Sequence, residues 1–168
     1  MAVIILKKDN NLPAYFFHQG TNYRAYEYMG VHKEDGHFVF RVWAPNADAV
    51  YVVGDFNSWG EDMPMYRVTD AGIWEYVDEC DRVSVGSVYK YKIWSWGNAR
   101  YKADPYGAYC ERIPATASIV YESNYEWGDS AWRDVASKNA KEYYERPMNI
   151  YELHLGSWKR HSDRKSVV

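Results

Sequence analysis

In the stretch VYKYKIWSW (88–96), Lys92, Trp94 and Trp96 occupy alternate positions. A β-strand there puts one cation and two indoles on one side, with Tyr89, Tyr91 and Ile93 on the other. A side carrying two lysines, Lys90 and Lys92, cannot be a core, so the Tyr-Tyr-Ile side is the predicted inner face. The outer side is left with Lys92 and the two tryptophans, and exposed rings can serve as platforms for stacking a ligand. A further indole, Trp59, lies in VVGDFNSWG (52–60) among the turn formers Gly54, Asp55, Asn57, Ser58 and Gly60. Turns face water whereas tryptophan belongs under cover. Three readings follow: Trp59 stacks on a ligand, docks on another domain, or folds back over a sheet edge.

Other candidate chemistry is sparse. Cys80 and Cys110 show neither a CxxC spacing nor a companion histidine cluster, so no disulfide framework, zinc site or other cofactor is expected. His154, inside the apolar run IYELHL (150–155), is expected to be a hydrogen-bonded core residue. Trp43 beside Ala44-Pro45 is read as structural, and Asp104-Pro105 as a turn device. No pair of carboxylates can be assigned acid and base roles, so no catalytic residue is expected.

The chain has 168 residues, 47% hydrophobic, enough for one domain with a proper core plus appended pieces. Its net charge of -3 offers no basic stripe, which argues against nucleic acid or an anionic membrane as partner. Aromatic residues make up 18%, with 17 Tyr and 8 Trp, so rings must serve as core, as platforms, or as both. The start, MAVIILKKDNN, lacks a basic n-region and its apolar run is too short for a signal peptide. A cytoplasmic protein is the expectation.

Positioning these residues requires short strands. HFVFRVWAP places Phe38, Phe40 and Val42 on one face and Val39, Arg41 and Trp43 on the other. AVYVVGDFN, GIWEYVDE, SVYKYKIWSW and ASIVYES read as further strands, and GNARYKADPYG as a turn-rich return. This spacing predicts an all-β, immunoglobulin-like β-sandwich over 29–123. Residues 1–28 read as a short N-terminal arm packed on a neighbour, and Trp127 to Tyr144 as loop plus short helix. Ile150 to Leu155 reads as a buried strand, the truncated stub of a second domain.

FHQGTNYRAYEYMG, FRVWAPNA, VVGDFNSW, KADPYG and above all IYELHLGSW resemble the N-terminal part of bacterial 1,4-α-glucan (glycogen) branching enzymes, from about Leu12 to Arg160. The sandwich resembles carbohydrate-binding module family 48, and IYELHLGSW the first strand of a glycoside hydrolase family 13 (β/α)8 barrel, with 124–162 as linker and strand. The resemblance implies α-1,4-glucan (glycogen or maltooligosaccharide) as partner. It aligns Trp59 with a stacking tryptophan, Lys92 with a lysine that hydrogen-bonds glucose hydroxyls, and Tyr101 with a second stacking aromatic. It also implies a contact between module and barrel, for which Trp94 and Trp96 are candidates as much as for sugar. The family's acid, nucleophile and third carboxylate belong further along the barrel, with the first two about 5 Å apart in a retaining mechanism. The chain itself is expected to be inactive. A free-standing glycogen-binding module, or part of a debranching or trehalose-forming relative, remain as alternatives. DRKSVV (163–168) departs from the family pattern and reads as a non-native tail.

Overall fold

The alternation in HFVFRVW is realised as a strand, β2 (His37–Trp43), between β1 (Gly30–Glu34) and β5 (Ile73–Val77). The computed structural model describes residues 12–138, 145 and 147–158. The chain divides into two units, Met1–Ser123 and Asn124–Val168. In the first, β4 (Tyr66–Arg67) pairs with β5 and completes a four-stranded sheet in the order β1-β2-β5-β4.

The second sheet is built on β6 (Val88–Ser95). One edge of β6 pairs antiparallel with β3 (Ala49–Gly54). The other edge is shared: β9 (Ser118–Ile119) pairs with Val88 and Tyr89, and β7 (Asn98–Lys102) pairs with Tyr91 to Ser95. β8 (Tyr109–Cys110) lies beyond β9. Phe38, Phe40 and Val42 from one sheet meet Val50, Val52, Tyr89 and Tyr91 from the other, all buried, with Ile93 packed against them. The two sheets form the expected sandwich, and each fully buried large apolar side chain contributes about 1.5–3 kcal/mol. β7 falls where a turn-rich return was expected. Trp96 and Gly97, both at positive φ, make the two-residue turn that folds β7 onto β6.

The other face of β2 is covered rather than wet. α1 (Leu12–His18) buries Ala14 against Met29 and Ile73, and Phe17 meets the Trp43 ring edge-on at 5.9 Å. His18 Nε2 and Thr69 Oγ1 lie 2.9 Å apart. Under this cover Arg41 donates to Glu34 (2.5 and 2.7 Å) and to Glu75 (2.6 Å), beneath the Tyr28 ring. The described part of the arm therefore packs on its own sandwich.

Taken by itself, the second unit contains, among its described residues, α2 (Ser130–Lys138) and a short helical turn, α3 (Leu155–Trp158). Arg133 Nε donates to Asp129, and its Cζ lies 5.3 Å from the centre of the Trp127 ring. Residues 147–154 are irregular, with Ile150 77% and Leu153 43% exposed. The strand expected over Ile150 to Leu155 is not formed. A strand needs a hydrogen-bonding partner, and none pairs with this segment among the described residues. DRKSVV lies outside the described residues.

Candidate functional site

The outer face of the β3-β6-β7 sheet collects polar heads and rings in two rows set by register. Tyr51, Lys92 and Tyr101 are cross-strand partners, and one step along so are Ala49, Trp94 and Ala99. Side chains directly opposite each other in antiparallel strands touch. Lys92 is thus flanked by two tyrosines, while the Trp94 indole has small neighbours on both sides. Lys92 Nζ lies 5.2 Å from the Tyr101 ring centre and 5.7 Å from that of Trp94, both within cation–π range.

A loop closes over this face. After β3 the chain forms a single 3-10 turn, Asp55–Asn57, then enters the left-handed region at Ser58 (φ 51°) and Trp59 (φ 61°). Two consecutive non-glycine residues there carry local strain. The Asn57 side chain holds them. Its Oδ1 accepts from Gly54 N (2.8 Å), and its Nδ2 lies within 3.1 Å of the Val52 and Gly60 carbonyls and 3.0 Å of Asp62 Oδ1. Gly54 is needed because a Cβ there would run into the Val88 carbonyl oxygen and the Phe56 ring. The loop ends are pinned by Trp59 N to Gly54 O (2.8 Å) and Val52 N to Met63 O (3.0 Å). Trp59 is left 39% exposed.

Glu61, two residues on, reaches β6. Lys92 Nζ donates to its Oε1 at 2.6 Å, and Trp94 Nε1 donates to the same oxygen at 3.0 Å. The hydrogen bond from Lys92, with a second from Trp94, holds the Glu61 carboxyl below the usual carboxylate range. Glu61, with help from Tyr101, holds the Lys92 ammonium above its own. The Lys92 side chain is 17% exposed, Trp94 half-buried and Tyr101 half-exposed. The arrangement offers fixed donors, an acceptor and open ring surfaces, which suits reversible binding of a polyhydroxy ligand.

Lys92, Trp94 and Tyr101 are therefore brought together, with the Trp59 loop joined to them through Glu61. Trp96 is not on the strand face. The alternation ends at Ser95, and Trp96 sits at the turn, 89% exposed, its N–H donating to Asp48. Glu61 is the residue that sequence reasoning missed. The signal was a carboxylate within two residues of Trp59, in a loop that must close beside β3.

The residues read as structural are so placed. Trp43 Nε1 donates to the Ala71 carbonyl; Asp104 accepts from the Tyr106 N–H at its turn and, beyond that role, from Tyr89 and Tyr91 inside the sandwich. His154 is exposed rather than core; its Nδ1 lies 2.8 Å from Ser157 Oγ. Cys80 and Cys110 are free and exposed. No helix among the described residues is long and apolar enough to cross a membrane, and no metal-ligating cluster occurs among them.

Residues 28–107 match the family model Carbohydrate-binding module 48 (Isoamylase N-terminal domain). The chain is also similar to two proteins named 1,4-alpha-glucan branching enzyme GlgB. That of Halothermothrix orenii is 48% identical across 87% of this chain and 24% of its own length. That of Fusobacterium nucleatum is 44% identical across 92% of this chain and 25% of its own. The chain thus spans about a quarter of the length of the curated relatives it matches, covering their N-terminal part. Among solved structures, a pullulanase complexed with maltotetraose from Anoxybacillus sp. aligns with a TM-score of 0.46 and 23% identity, covering 56% of this chain and 14% of that one.

Proposed function

We propose that this chain, which carries a match to carbohydrate-binding module 48 over residues 28–107, is the α-glucan-binding N-terminal part of a 1,4-α-glucan branching enzyme. Such an enzyme transfers α-1,4-glucan segments to form α-1,6 branches in glycogen biosynthesis. The transfer chemistry belongs to the longer protein, and no carboxylate of this chain is assigned to it. In this reading 1–28 is the arm, 29–123 the module and 124–162 the linker and first strand of the barrel. The irregular segment around Ile150 then becomes a strand only beside other barrel strands.

The observation that carries the binding role is the row Tyr51–Lys92–Tyr101 with Trp94 beside it. Lys92 donates to glucose hydroxyls, and the rings of Trp94 and Tyr101 offer flat surface to the C–H face of a pyranose. Trp59 adds a ring from the loop, and Trp96 a ring at the hairpin tip. A glucan of repeated pyranoses can engage several of these groups at once. Glycogen synthesis of this kind is cytoplasmic work, and the chain is assigned to that compartment with it.

Affinity electrophoresis through glycogen-containing gels tests this reading. The chain should be retarded relative to a glycogen-free gel, and Lys92→Ala and Trp59→Ala should each migrate faster than wild type. Wild-type migration unaffected by glycogen would overturn the binding role.

A further inference from the structure

Both hydrogen bonds to Glu61 end on a single oxygen. Lys92 Nζ and Trp94 Nε1 donate to Oε1, and Oε2 receives no hydrogen bond among the described residues. The carboxylate is fixed by two partners on a rigid strand, and its side chain is 36% exposed. An ionised carboxylate can accept about four hydrogen bonds, so much of its capacity is open. Beside it the Lys92 ammonium has three donors, of which Glu61 takes one. An open acceptor and an open donor thus stand side by side, held in contact at 2.6 Å.

Two adjacent equatorial hydroxyls match such a pair. One hydroxyl donates to Glu61 Oε2, and its neighbour accepts from Lys92 Nζ, so neither protein charge is left unpaired when water leaves. Resting on the α-glucan-binding reading above, we propose that Glu61 is a ligand-contacting, specificity-determining residue of this site. With Lys92 it forms an acceptor–donor pair that selects a pyranose with its vicinal 2,3-diol free. The Glu61–Trp94 hydrogen bond gives the residue a second duty. It fixes the indole ring so that stacking and diol recognition act on the same sugar.

Calorimetric titration with β-cyclodextrin and with its 2,3-di-O-methyl derivative tests this on the full chain. Wild type should bind the methylated ring about ten-fold more weakly, the size of one lost charge-assisted hydrogen bond. In Glu61→Ala the unmodified ring should lose about ten-fold in affinity, and the two rings should bind alike. Glu61→Gln, which preserves shape and one acceptor, covers the case in which the alanine variant fails to fold; it too should narrow the difference between the rings. Equal losses for both rings in the variants would mean that Glu61 only braces the site, overturning the proposal. Unchanged or tighter binding in Glu61→Ala would make it a bystander or a competitor for Lys92, and would overturn the proposal equally. If wild type binds neither ring, the glucan-binding reading itself fails.

Discussion

The two faces of β6 use the same chemistry to opposite ends. On the inner face, Tyr89 and Tyr91 donate at 2.7 and 3.0 Å to one carboxylate oxygen of Asp104, and the backbone N–H of Tyr106 donates to the other at 2.8 Å. On the outer face, Lys92 and Trp94 donate to one oxygen of Glu61. Burial is the dominant influence on Asp104 and raises its pKa above the usual carboxylate value, against the three donors. At Glu61 the donors dominate, led by Lys92, and lower it. A carboxylate closed in by tyrosines is a structural pin, whereas one held from one side keeps acceptor capacity for a ligand.

The largest effect that separates the faces is on stability. Asp104→Ala leaves the Tyr89 and Tyr91 hydroxyls without their acceptor inside the sandwich, and should cost about 3 kcal/mol in urea denaturation. Asp104→Asn separates burial from hydrogen bonding through pH. A carboxylate whose folded pKa is raised contributes most below its unfolded value of about 4, and that contribution is lost as pH rises through the folded pKa. The wild type should therefore lose stability relative to Asp104→Asn across that window. A constant difference would show that burial does not govern Asp104.

The next effect is on the loop. Asn57→Ala removes the groups that stitch Gly54, Val52, Gly60 and Asp62, and should cost about 1–2 kcal/mol. It should also weaken retardation in glycogen gels, because Trp59 loses its fixed left-handed backbone. Unaltered binding would detach the loop from the site. The smallest effect is expected for Glu61→Gln on the outer face, where a partly exposed ion pair contributes little and the amide keeps one acceptor. Its urea midpoint should match wild type, and a marked drop would make Glu61 a pin like Asp104.

Much of this difference was legible in the alternation of VYKYKIWSW, since a face with two lysines cannot be core. The turn formers around Trp59 likewise announced a loop. The partner of Lys92 left only its nearness to Trp59 as a signal, because a lone glutamate in a turn carries no periodicity; the closing of the loop beside β3 brings Glu61 to β6. β7 escaped because Trp96-Gly97 is a hairpin turn without the usual Asn-Gly or Asp-Gly. β1 escaped because GVHKE has little apolar alternation. IYELHL is irregular here for a different reason. Its composition suits a strand, but strand formation is a property of a pair of segments, and composition describes only one.

Ligand binding at the outer face is tested most directly by titrating the 15N-labelled chain with maltoheptaose and following the indole N–H signals. Trp94 and Trp59 should shift in a saturable manner, while Trp43 and Trp74, bonded to the Ala71 and Ala44 carbonyls, stay in place. Stationary signals from Trp94 and Trp59, with or without movement elsewhere, would contradict binding at this face.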